Sequence, residues 1–110
     1  MSQYLVLIYG DPSYEVGSSD DVMKGHMRFG EEHGAKLAGG NALQPASTAT
    51  SIRPDGAGFT VTDGPFFETK EALGGYYLIE AADLDEAIRI SKDIPMPDGG
   101  VEIRPVFPMG

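Results

Sequence analysis

Two short runs in this 110-residue chain are apolar at nearly every position, and a strand with that pattern is stable only where both of its faces are covered. The first is Tyr4-Leu5-Val6-Leu7-Ile8-Tyr9, closed by Gly10-Asp11-Pro12, and the second is Tyr76-Tyr77-Leu78-Ile79-Glu80-Ala81. At six residues each they are too short for a membrane span, which needs about 20, and rich enough in aromatic and branched residues to read as strands. The elements around them must supply the cover.

Ser18-Ser19-Asp20-Asp21 offers capping hydroxyls and carboxylates at the positive end of a helix, and the spacing predicts a helix from about Asp20 to Lys36. Val22, His26, Phe29, His33 and Leu37 fall on one stripe of it, with Met23 and Met27 alongside. Gly25, Gly30 and Gly34 each weaken it by about 1 kcal/mol relative to Ala, which close approach to a sheet would justify. Asp83-Leu84-Asp85-Glu86 resembles a capping box opening a second helix that ends before Pro95, with Leu84, Ala87, Ile88 and Ser91 as its inner stripe. After Gly39-Gly40, two shorter strands are expected at about Thr48 to Arg53 and Phe59 to Thr62, joined by Pro54-Asp55-Gly56-Ala57-Gly58, and a last one at about Val101 to Val106.

The resulting order of strand, helix, strand, strand, helix, strand matches the ferredoxin-like βαββαβ plan, an α+β fold with an antiparallel sheet and two helices on one face. A chain of this length builds one core, so residues 1–110 read as a single domain. Two helices cover one face of such a sheet. The apolar residues on its other face therefore call for a second copy of the chain, and the expected assembly is a homodimer packed sheet to sheet.

A formal charge of −9 repels phosphate backbones and anionic membranes, so neither direct nucleic-acid binding nor membrane attachment is expected. The absence of cysteine removes disulfides, thiolate nucleophiles and Cys-based metal sites. No basic-then-apolar leader precedes Tyr4, which points to a cytoplasmic location. GxGxxG, P-loop, GxSxG and HExxH patterns are all missing, and Asp11, Tyr14 and Glu15 do not make a metal-binding motif, so no metal or cofactor is expected.

The stretch Val61-Thr62-Asp63-Gly64-Pro65-Phe66, with Glu68-Thr69-Lys70 and then Leu73-Gly74-Gly75-Tyr76-Tyr77-Leu78-Ile79, closely resembles the DGPF-motif proteins of the YCII-related family. The similarity extends to Tyr4–Gly10, Asp83–Ala87 and Val101–Val106, nearly the whole chain. It implies a dimeric α+β barrel of two ferredoxin-like units facing each other through their sheets, in a largely bacterial family. Relatives in the superfamily include small-molecule enzymes acting on aromatic or lactone substrates, and DGPF proteins are often encoded near extracytoplasmic-function sigma factors. The resemblance also implies a catalytic pair of a His on the first helix and an Asp near the end of the second, which fall on His26 and Asp93.

From the residues themselves, His26 lies on an apolar stripe, where burial lowers an imidazole pKa and a carboxylate raises it, and a general acid or base near pH 7 is the chemistry it offers. Asp93 opposes the negative end of its helix dipole, a local cost of the kind found at sites. The 63–77 connection reads as a turn at Asp63-Gly64-Pro65 and also as a lid, with Phe66, Phe67, Tyr76 and Tyr77 forming an apolar wall and Lys70 a charged tip for an anionic ligand. Each of these residues also has a purely structural explanation in packing, capping or solvation. Two functions stay open on this evidence: a cofactor-free small-molecule enzyme using His26 and Asp93 in a cleft, and a non-catalytic binding or regulatory module linked to a sigma-factor system.

Overall fold

A computed structural model of the chain describes residues 1–13 and 19–109. Strand β1 (Ser2–Gly10) leads to helix α1 (Asp20–His33), a single 3-10 turn, and strand β2 (Leu37–Ala42). A hairpin of β3 (Thr50–Pro54) and β4 (Phe59–Asp63) follows, then β5 (Ala72–Ala81), helix α2 (Leu84–Ser91) and β6 (Gly100–Pro105). Four strands form one antiparallel sheet in the order β2-β5-β1-β6, and β3 and β4 form a separate two-stranded sheet. The fold is α+β and ferredoxin-like, with both apolar runs at its centre.

The strand expected at Thr48 to Arg53 is real, but it is not the sheet's second strand. That place belongs to Leu37–Ala42, and the hairpin is an insertion between it and β5. Gly39-Gly40 hides β2 in the sequence, because glycines read as punctuation. In the structure Gly40 is a close-approach position: a Cβ there would lie 2.7 Å from the Tyr76 carbonyl oxygen and 2.7 Å from the Tyr77 ring.

Alternation along β1 and β5 sends Tyr4, Val6, Ile79 and Ala81 under the helices, where they pack with Phe29 of α1 and Ala87, Ile90 and Ile94 from α2 and the turn after it. The caps hold as expected. Ser19 accepts from the Val22 N–H and Asp83 from the Glu86 N–H, while Glu86 reaches back to the Ala82 N–H. The inner stripe of α2 is Ala87, Ile90 and Ser91, about one residue round from the expected one, which leaves Leu84 and Ile88 exposed. Gly25 does earn a packing role, but against Pro95 rather than the sheet, since its Cβ would meet the Pro95 ring at 2.7 Å. Gly30 and Gly34 face open space.

The opposite face of the sheet carries Leu5, Leu7, Tyr9, Tyr76 and Leu78, half-buried by one another and by their strand neighbours, with no helix over them. The molecule is a plate of 47 × 39 × 19 Å with a radius of gyration of 15.6 Å, against about 13 Å for a compact domain of this length. Among the described residues, no helix is long and apolar enough to cross a membrane.

The two kinds of glycine separate in a denaturation experiment. Gly40→Ala is expected to cost about 1–3 kcal/mol through overpacking on backbone and ring, and Gly30→Ala to add about 0.5–1 kcal/mol in an open helical position, both read from urea midpoints. Equal effects of the same sign would contradict this packing.

Candidate functional site

Helix α1 holds His26 one turn before Phe29, on the side that faces the sheet. The His26 Nδ1 lies 2.7 Å from the Tyr77 hydroxyl. Tyr77 is set by β5 and packed against Phe29, with ring centroids 4.8 Å apart. Burial lowers the His26 pKa from its ordinary 6.5 and raises that of Tyr77, so at neutral pH both groups are uncharged. Which of the two donates depends on the imidazole tautomer, and in either tautomer Tyr77 occupies Nδ1 and leaves Nε2 as the second ring nitrogen. That second nitrogen has no protein partner among the described residues.

The His26 ring also lines a narrow cavity of about 40 Å³ at the ends of β1 and β5, walled by Ile8, Val22, Pro45, Pro95 and Pro97 and bordered by Asp11, Gln44 and Asp98. The space is enough for about three waters. It adjoins a broader depression of about 840 Å³ through Tyr9, Gln44, Pro45, Ala46, Ala72 and Leu73, which line both. Phe66 and Phe67 stand on the far side of that depression in an edge-to-face pair 5.0 Å apart, with the Arg53 guanidinium 3.7 Å over the Phe66 ring. Gly64, at φ 108°, makes the turn into this segment and donates its N–H to the Ala49 carbonyl at 2.7 Å.

Of the residues singled out in the sequence, the structure brings together His26 and Tyr77, and places Phe66 and Phe67 in the neighbouring depression. Tyr76 points to the opposite face of the sheet, where its hydroxyl accepts from Asn41 at 3.0 Å. Lys70 is exposed and lines neither the cavity nor the depression. Tyr14 and Glu15 lie outside the described residues. Asp93 is not beside His26: its Oδ2 meets His33 Nε2 at 2.7 Å, two stripe positions further along α1. Residue 26 to residue 33 is two helical turns, about 10 Å, so one carboxylate cannot serve both imidazoles. Glu32 joins that pair, and the ligand atoms of Glu32, His33 and Asp93 lie within 4.8 Å of one another at the surface, the group among the described residues that could hold a metal ion.

Two contributors escaped the sequence reading. Tyr77 looked like part of a wall because its hydroxyl cannot be aimed from sequence. Asp98 sits in a Pro- and Gly-rich connection that carries no periodicity, although the run of Pro95, Pro97, Gly99 and Gly100 marks a shaped loop that returns to the end of β1.

A ferredoxin-like α+β domain with a half-buried histidine at the sheet end and one uncovered sheet face defines the class. The YCII-related domain family matches residues 2–110, and the chain belongs to that family. It is also similar to an uncharacterised protein of Rhizobium meliloti (strain 1021), with 35% identity over 112 residues covering 94% of this chain and 90% of the relative.

The site makes two claims that an NMR titration checks. His26 is expected to titrate below 6.5, to respond to Tyr77→Phe, and to ignore Asp93→Asn. Because its folded pKa lies below the unfolded value, the unfolded chain binds the proton more tightly, so His26 costs stability as pH falls from about 6.5 through the folded pKa, and none above. In His26→Asn the loss of stability over that window should shrink.

Proposed function

We propose that the protein is a cofactor-free acid–base enzyme acting on a small, largely apolar molecule, with His26 as the proton-transferring group. The observation that supports this is the His26–Tyr77 contact at 2.7 Å beside a narrow, partly open cavity. One ring nitrogen is fixed and the other is left for a ligand, the arrangement that orients an imidazole for proton transfer. A hydroxyl can donate or accept, so Tyr77 serves His26 in either tautomer, taking the place that an Asp fills in the pair implied by family resemblance. The narrow cavity admits the reacting end of a substrate, and the Phe66 and Phe67 depression suits an aromatic or lactone-like body.

The working unit in this reading is a homodimer. The chain exposes 7496 Å², whereas a compact 11.7 kDa protein exposes about 5,900 Å². The excess of about 1,600 Å² is what one partner contributes to an obligate dimer interface. Leu5, Leu7, Tyr9, Tyr76 and Leu78 supply the apolar patch for it.

Against a panel of small lactones, esters and hydroxy-aromatics, His26→Asn is expected to lower turnover by about 10²–10⁴-fold, while ligand binding changes far less. A non-catalytic binding module would show ligand binding without any His26-dependent turnover. Light scattering at micromolar concentration is expected to give twice the chain mass, and Leu7→Glu to halve it; a monomeric wild type would refute the dimer.

A further inference from the structure

His26 stands between two spaces, and the second is the larger. Beyond the narrow cavity, a slot of about 330 Å³ lies between the first half of α1 and the sheet. Met23 and His26 of α1 stand over it, while Gly40 and Ala42 of β2, Gly75 and Tyr77 of β5 and Ile8 of β1 lie beneath. Ile8, His26 and Gly74 line both the slot and the narrow cavity, so the two meet at the imidazole.

The slot follows from the sheet register. Gly40 pairs with Tyr77 and Ala42 with Gly75, so all four positions share the face that α1 covers. A side chain at Gly40 would strike the Tyr76 carbonyl oxygen, and one at Gly75 would come within 3.1 Å of the Asn41 carbonyl oxygen, so strand packing requires bare backbone at both. Ala42 adds only a methyl. Under the first half of α1 a layer of side chains is therefore missing, whereas further along the helix Phe29 fills it against Tyr77.

Of the three spaces at this end of the sheet, the slot alone combines ligand size with contact to both members of the His26–Tyr77 pair. The narrow cavity holds about three waters and does not reach Tyr77. The wider depression is walled by neither residue. Small-molecule sites occupy about 300–1,000 Å³, a range the slot enters. Among the described residues no Asp, Glu, Lys or Arg lines it, so a charged ligand would lose hydration without gaining a counter-charge. The Tyr77 hydroxyl spends one hydrogen bond on His26 and keeps capacity for a second.

We infer that this slot is the binding compartment for a flat, uncharged ring bearing an oxygen substituent, held with that oxygen at the His26–Tyr77 pair. The inference rests on the acid–base reading for the role of His26, and it adds a compartment to the narrow cavity and the depression. It also replaces the expectation of an anionic ligand oriented by Lys70, which is remote from the slot lining. Met23, 42% exposed, leaves an edge of the slot open for entry.

Four probes at neutral pH test it: phenol, cyclohexanol, benzoate and benzylammonium, with the His26 and Tyr77 ring resonances and the Ala42 amide followed by NMR. Phenol is expected to shift all three signals and to bind about tenfold or more tighter than either charged probe. Cyclohexanol, whose ring is not flat, is expected to bind more weakly than phenol. Ala42→Leu fills the slot from an exposed edge strand and is expected to weaken phenol about tenfold or more. Met23→Ala, at a solvent-facing helix position, uncovers the ring and is expected to weaken it about fivefold. A charged probe binding as tightly as phenol, or a phenol affinity indifferent to both substitutions, would overturn the assignment. So would probes that leave Tyr77 and Ala42 unmoved; if turnover then still depends on His26, the acid–base reading stands without the slot. Phenol binding as expected, with no His26-dependent turnover, keeps the slot and removes the enzyme.

Discussion

Tyr77 is the side chain on which the other parts of the structure converge. Its ring lies over Gly40 of β2, close enough that any side chain there would collide, and stacks at a tilt on Phe29, the largest fully buried side chain of α1. Its hydroxyl ends on His26. One residue of the central strand thus sets how near the edge strand comes, where the first helix rests, and which way the imidazole turns. The hydroxyl makes this a polar arrangement beside an apolar layer, and a half-buried phenol without a partner would cost part of the about 1–3 kcal/mol that a fully buried one does. The His26 contact removes that cost, so the geometry of the candidate site is held by the packing of the core.

The parts of the fold legible in the sequence are those with a short-range physical signal. The two apolar strands, the capped starts of both helices and the Pro54 to Gly58 turn all stand in the structure near their expected positions. What failed was carried by tertiary contact. Leu37–Ala42 has four small residues among six and no alternation, so nothing local marks it as a strand; the close approach of Tyr76 and Tyr77 explains Gly40, while Gly39 faces open space. Counting strands alone then pulled the β3–β4 hairpin into the main sheet, and the βαββαβ order came out right with the wrong second strand.

The site shows the same division. Periodicity put His26 on the inner stripe of α1, and the structure keeps it there. Its partner was not legible, because the distance between residues 26 and 77 depends on where β5 sits beneath α1. A carboxylate at the end of α2 could have met either histidine of the stripe. The two-turn separation of His26 and His33 made the choice exclusive, and Asp93 went to His33. The negative border of the cavity was hidden for a different reason: net charge says how many acids a chain has, while the cavity's charge depends on which of them lack a basic neighbour.

The uncovered sheet face and the cleft are connected through Tyr9. Its side chain belongs to the face that no helix covers, yet it also lines both the narrow cavity and the wider depression. The Phe66 and Phe67 pair and Ile52 of the hairpin stand on the other side of that depression, all of them half exposed or more. A two-stranded hairpin with so much apolar surface is barely stable by itself. A second copy on the sheet face would therefore bury Tyr9 from one side and give the hairpin a surface to rest on. The proposed dimer would then originate in the pattern that marks the chain at first sight, strands too apolar to leave one face in water.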